Sequence, residues 1–389
     1  MESIALRRRF TVFVPHASDC LTNHLPHGDG LVAFEFVRRL AERGHTVHVA
    51  SPEIHVSGPL PASLHLHETA AGGVGPRLHY MLAVRRLYAR VSERRRVDIV
   101  HQLNPVFTGI SLALAGAGAP IVLGSFLAEW PNGEVMRSPR SRIVTGLKRK
   151  VASLQQRQAR ALLLTTPGAA GRIVDQSVNR QKIVHLPHGI DPSLYRPSYG
   201  SATAQPVIVF LGGLERRKGI YTLLDAFPRV RAAIPATRLI VGGAGHENLR
   251  VAQKIAALPE PDAVTLLGCV ARTDVPRVLA SATVFAMPSN GEPFGMALLE
   301  AMASGKPVVV TDAGGPHYIV DAAGGRKVPP DDPSALADAL IEILASPELQ
   351  RRMGEHNRAL IETVYNWDRV IDRLEELYRS VIGSRSLTT

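Results

Sequence analysis

The sequence predicts an α/β protein built from two doubly wound, Rossmann-like domains, and three observations carry this. A chain of 389 residues exceeds one hydrophobic core, so two domains of ordinary size are expected. Short β-branched runs alternate with helix-forming stretches along almost its whole length, the pattern of parallel strands joined by helical crossovers. A Pro-, Gly- and Ser-rich break over residues 187–201 interrupts that alternation, which then restarts.

In the first half, strands are expected at 11–15, 46–51, 98–101, 121–123, 161–165 and 183–186. A helix is expected from Leu31 to Arg43. Arg43-Gly-His45 reads as a helix C-terminus running straight into the next strand, which marks the first βαβ unit. Residues 105–128 carry no charge, but Gly109, Gly116, Gly118, Pro120 and Gly124 break them up. A short helix near 109–115, a turn and a strand are therefore expected there, and no membrane span. In the second half, strands are expected at 207–211, 238–241, 264–267, 284–287 and 308–311. A final amphipathic helix begins at Trp367. The domain limits are 1–196, 197–366 and a terminal segment 367–389.

The densest chemistry lies at 288–310. Pro293 and Gly295 punctuate a loop, and the run from Met296 to Ala303 is strong helix former. Its first N–H groups lack intrahelical partners and suit a phosphate. Two carboxylates, Glu292 and Glu300, bracket this junction. In an open α/β sheet, ligands bind at the carboxyl ends of the strands, where such junctions sit.

Composition places the chain among ordinary globular proteins, with 45% hydrophobic and 20% charged residues. Cys20 and Cys269 lie far apart without ligand-like spacing, so neither a disulfide framework nor a zinc site is expected. No signal-like apolar region opens the sequence, and a cytoplasmic location is the default. A net charge of +11 and a pI near 10.0 imply attraction to polyanions. Few aromatics and no zinc-finger, RNP or KH pattern argue against nucleic acid. Neither a G-x-S-x-G elbow nor an HExxH pair is present, so hydrolase chemistry has little support.

The segment Glu292-Pro-Phe-Gly295, with a second Glu eight positions after the first, resembles the donor site of glycosyltransferase family 4 (glycosyl transferases group 1). These are retaining, nucleotide-sugar-dependent enzymes of the GT-B fold: two Rossmann-like domains facing a cleft, with a C-terminal helix that crosses back to the first domain. The resemblance implies that Glu300 holds the ribose hydroxyls. Glu292 and the Phe294, Gly295 and Met296 stretch would line sugar and phosphates. Phe210-Leu-Gly-Gly-Leu-Glu-Arg-Arg-Lys-Gly219 resembles the family's phosphate loop, with Lys218 as pyrophosphate cation. Gly213 stands where the family usually has Arg, and Arg217, or less readily Arg216, is the candidate substitute. Gly28 and Gly30 resemble a glycine loop approaching the donor across the cleft, and Gly268, Cys269 and Val270 lie where main chain commonly meets the base. Pro187-His-Gly-Ile-Asp191 resembles P-N-G-V-D, with His188 for Asn. Tyr318 replaces the usual Glu after the Gly314-Gly315 turn. Many relatives have a histidine after the strand at 121–123, which this chain lacks; His101 and Glu129 are the acceptor-side candidates.

The implied activity is transfer of a sugar from a nucleoside diphosphate sugar to a hydroxyl of a glycan, lipid-linked or small-molecule acceptor. Glu292 and Lys218 are the catalytic candidates. No D-x-D occurs, so no metal and no cofactor are expected. The rival readings are a catalytically silent partner subunit and an epimerase or phosphorylase on the same fold. Basic residues from Arg137 to Arg160, around Ile143, Val144, Leu147, Val151 and Leu154, also suggest peripheral contact with anionic membrane at the inner face.

Overall fold

A computed structural model describes residues 8–383 apart from 26, 70–75, 105, 107, 128–138, 176, 179 and 198–204. Fifteen strands are described: β1 (Thr11–Val14), β2 (Cys20–Thr22), β3 (Thr46–Ser51), β4 (Glu53–His55), β5 (Leu64–Glu68), β6 (Ile99–Gln102), β7 (Ile121–Phe126), β8 (Ala161–Leu164), β9 (Ile183–His185), β10 (Val207–Leu211), β11 (Arg238–Gly242), β12 (Val264–Gly268), β13 (Val284–Met287), β14 (Val308–Thr311) and β15 (Gly325–Val328). One seven-stranded sheet runs β5-β3-β1-β6-β7-β8-β9. A six-stranded sheet runs β12-β11-β10-β13-β14-β15, and β2 and β4 form a separate ribbon. Every described ladder is parallel.

The expected doubly wound architecture is present. In the first sheet β1 pairs with β3 on one side and β6 on the other, and in the second β10 lies between β11 and β13. Those two reversals of strand order are where open sheets place ligands. Central strands carry buried side chains on both faces, as crossover helices on each side require.

Several expectations need correction. The first helix spans Gly28–Glu42 rather than starting at Leu31, because the His27 ring caps it, accepting from the Gly30 N–H at 3.0 Å. Gly28 and Gly30 therefore form a helix turn, not a loop. The stretch near 109–115 is a 3-10 turn, Ile110–Leu114, too short to become an α-helix between left-handed Gly109 and Gly116. Strands β5 and β15 at the sheet edges were not foreseen.

The helix Trp367–Gly383 returns to the first sheet. Trp367, Val370, Ile371, Leu374, Tyr378 and Val381 join one buried cluster with residues of β1, β3 and the Gly28–Glu42 helix. Its polar anchors are equally specific. His45 accepts from the Phe10 N–H through Nδ1, which leaves Nε2–H to donate to the buried Glu375 carboxylate at 3.1 Å. Arg43 and Arg379 share that carboxylate at 3.5 and 3.0 Å, so a buried negative charge is compensated on three sides.

Candidate active site

A cavity of about 730 Å³ opens between the two sheets, walled by both domains. From the second come the end of β10 (Phe210, Leu211, Gly212), Arg217, Lys218, Met287 and residues 292–297. From the first come His27, Gly28, Asp29, Val32, Asn104, Val106, Ser125, Leu127, Arg172 and His188. Its size is that of an ordinary small-molecule site.

The floor is set by backbone geometry. Gly295 holds φ +97° as the N-cap of the helix Met296–Ala303, a conformation that strains other residues, and the first residues of that helix, Met296 and Ala297, line the cavity. Behind it, Gly315 donates to the Glu292 carbonyl at 2.7 Å. Lys218 ends a 3-10 turn, Arg216–Lys218, whose Arg217 carbonyl accepts from Asn290 at 2.9 Å. These bonds bring Lys218 Nζ to 2.6 Å from Glu292 Oε2, so the two catalytic candidates, 74 positions apart, meet as a half-buried ion pair.

The loop's arginines separate. Arg217 lines the cavity and pairs with Glu215, whereas Arg216 lies 5.3 Å over the Tyr221 ring. Of the two, only Arg217 lines the cavity.

Glu300 sits one turn into the same helix, set back from the cavity wall. Tyr195 donates to its carboxylate, and burial pushes the group up to about 7 against the opposing pull of Arg272 and that hydrogen bond. Gly268 ends β12 at the sheet edge, Cys269 and Val270 follow it, and none of the three is part of the cavity wall. Gly30 does not reach it either. A Cβ there would stand 2.0 Å from the Cys20 carbonyl oxygen, so this glycine serves close packing, while Gly28 does line the cavity.

His101 does not face the cleft. It is buried between the Tyr378 hydroxyl at 2.6 Å and the Gly124 carbonyl at 2.7 Å, and burial holds its ring down to about 4. Glu129 lies outside the described residues. Two histidines do line the cavity, His27 at the helix start and His188, whose place in the interdomain break gave no sign of it. The Nε2 of His188 lies 2.5 Å from Ser125 Oγ on β7, its ring packs on Phe294 at 4.7 Å, and burial holds it neutral, down to about 3. Beside it Asn104 donates to Asp29 at 2.7 Å, and burial raises the Asp29 carboxyl although His27 and Asn104 oppose this.

Two family models together match residues 27–360: Glycosyltransferase Family 4 over residues 27–194 and Glycosyl transferases group 1 over residues 193–360. The chain belongs to glycosyltransferase family 4. This glycosyltransferase is 27% identical to the phosphatidyl-myo-inositol mannosyltransferase of Mycobacterium tuberculosis, over 97% of its own length and 98% of the relative's. It is 24% identical to the N-acetyl-alpha-D-glucosaminyl L-malate synthase of Bacillus anthracis, over 91% and 94%. Among solved structures, Anabaena HepE in complex with UDP superimposes with a TM-score of 0.75 at 18% identity, covering 95% of this chain and all of that one. This likeness is one of fold, the two-domain GT-B arrangement, with the helix Trp367–Gly383 of the glycosyltransferase as its return segment.

Proposed function

We propose that this glycosyltransferase takes its sugar from a nucleoside diphosphate donor, retains the anomeric configuration and needs no metal. The carrying observation is the Lys218–Glu292 pair beside the free N–H groups of the Met296–Ala303 helix, in a cavity closed by the first domain. Cation and oriented amides meet the charge that grows on a departing diphosphate. With Arg217 they supply positive potential that a metal ion would otherwise bring. Glu292 positions the sugar and holds Lys218 at the cavity until the donor arrives. In front-face substitution the acceptor oxygen bonds the anomeric carbon as the bond to the diphosphate oxygen breaks, and the acceptor proton passes to that departing oxygen. No separate base is required. Asp29, Asn104 and Ser125 present acceptors and donors for acceptor hydroxyls on the opposite wall.

A panel of nucleotide sugars given to the purified chain tests this. Release of diphosphate and sugar is expected with at least one member, after a thermal-shift screen of UDP, GDP and ADP selects the base. Silence across the panel, together with no nucleotide binding, would leave the partner-subunit reading in its place.

Glu300→Gln is expected to weaken nucleotide binding by about tenfold or more, since a carboxylate accepting two ribose hydroxyls contributes roughly 1.5–3 kcal/mol. Burial holds the unliganded carboxyl up to about 7, so affinity should rise from pH 6 to pH 8 more steeply in the parent than in the variant, measured by calorimetry. The unliganded fold responds with the opposite sign. A folded value above the usual 4.5 means the unfolded chain loses this proton first, so stability contributed here falls from about pH 4.5 to 7 and then levels. Equal affinity in both proteins would remove Glu300 from the ribose site.

Peripheral membrane contact is a second proposal. Among the described residues no helix is long and apolar enough to cross a membrane. In the helix Pro139–Gln158, Val151 packs on Gly109 while Leu147 and Leu154 are 63% and 55% exposed beside exposed Lys148, Lys150 and Arg157. Arg137 and the side chains of 139–145 lie outside the described residues. Cosedimentation with anionic vesicles, lost at high salt and absent with neutral ones, is the expected result.

A further inference from the structure

Away from the cavity, the ribbon of β2 and β4 gathers an unusual set of side chains. In parallel register Cys20 pairs with Glu53, Leu21 with Ile54 and Thr22 with His55. Leu21 and Ile54 turn inward onto the first-domain core, so strand alternation sends Cys20, Glu53 and His55 to the other face. There the thiol, one carboxylate oxygen and one imidazole nitrogen all lie within 4.8 Å of one another, with Glu53 Oε2 and His55 Nε2 3.7 Å apart.

We propose that Cys20, Glu53 and His55 form a binding site for a zinc-class divalent transition metal, distinct from the donor cavity and independent of the transfer chemistry. Sulfur, nitrogen and oxygen ligands at about 2.0–2.3 Å from a tetrahedral ion stand roughly 3.3–3.6 Å apart, so closing onto the ion takes only small side-chain rotations. Glu53 and His55 are 67% and 52% exposed and can turn without disturbing the core. One thiolate and one carboxylate balance the charge of a divalent ion, and the mixed donor set favours zinc or cobalt over magnesium or calcium, which prefer oxygen alone. Three protein ligands leave a fourth position for water. Binding releases the thiol proton as the Cys20 sulfur bonds the ion. The site also reaches the rest of the molecule. The Cys20 carbonyl presses on Gly30 in the first turn of the helix that walls the cavity, so bound metal would stiffen that wall.

Cobalt(II) titration of the full chain under a non-thiol reductant tests this, because a cobalt–thiolate bond gives a near-ultraviolet charge-transfer band that other ligands do not. One equivalent is expected to bind with that band and with visible tetrahedral bands, and zinc should displace it. Cys20→Ser should abolish the band, whereas Cys269→Ser, at the other and exposed cysteine, should retain it. His55→Ala changes an exposed side chain, so its fold should persist while cobalt affinity falls at least ~tenfold. Zinc should raise the melting temperature of the parent and not of His55→Ala. A parent protein with no saturable band at millimolar cobalt, or a band that survives in a folded Cys20→Ser variant, would overturn the site.

Discussion

Replacing Lys218 by alanine is expected to lower turnover of the nucleotide sugar at least ~hundredfold while the fold survives. The ammonium lies at the cavity, 2.6 Å from Glu292 and beside the start of the Met296–Ala303 helix, where a leaving diphosphate gains charge. An interaction that strengthens as charge develops acts on kcat more than on KM. Removal also leaves the half-buried Glu292 carboxylate without this partner, facing the anion it should help to place. Arg217→Ala is the informative companion. Its guanidinium lines the same cavity but is already shared with Glu215, so a smaller loss of roughly tenfold is expected. Steady-state kinetics with circular dichroism as a folding control decide. A Lys218→Ala enzyme with unchanged kcat would place the leaving-group cation elsewhere, and a silent Arg217→Ala would mean that Lys218 acts alone.

The largest expected effect on folding comes from the next residue. Gly219 sits at φ +77° as the hinge between the Arg216–Lys218 turn and the helix Ile220–Ala233, and a Cβ would stand 1.8 Å from the Pro288 carbonyl oxygen. That contact is with backbone, which cannot rotate aside. Gly219→Ala should cost about 3–5 kcal/mol from collision and left-handed strain together, read from urea unfolding midpoints. Gly28→Ala provides the control. Nothing lies within 4 Å of a Cβ there, so stability should stay within about 0.5 kcal/mol. A Gly219→Ala protein as stable as its parent would show that the turn and the loop after β13 do not touch as described.

Most strands legible in the sequence are buried on both faces, and the edge strands β9 and β12 were legible through their own apolar residues. Val207–Leu211 and Val308–Thr311 are nearly unbroken apolar runs because helices cover each side. The edge strands β5, Leu-His-Leu-His-Glu, and β15, Gly-Arg-Lys-Val, alternate with polar residues and carry too few apolar positions to stand out. At the site, residues close in sequence to the Glu292–Glu300 spacing could be found, since one loop and one helix place them. His188 could not. It reaches the cavity from the interdomain segment only because Ser125, Phe36 and Phe294, from three distant parts of the chain, converge on its ring. His101 misled for the converse reason: a strand-end position suggests exposure to the cleft, but Tyr378 from the last helix covers it.

That cover has a consequence for how the protein is made. A ribosome releases β1, β3 and the Gly28–Glu42 helix first, yet the surface they share is completed by Trp367, Leu374 and Tyr378, which emerge more than three hundred residues later. Throughout that interval the nascent first domain exposes an apolar groove, and the buried partner of His45 has not been translated. The second domain meets no such delay, because the buried residues of its two core clusters lie between positions 190 and 361. Chain order and folding order are therefore inverted: the half synthesised later can finish first, and the earlier half waits, open to chaperones and to proteolysis, for the last helix to arrive.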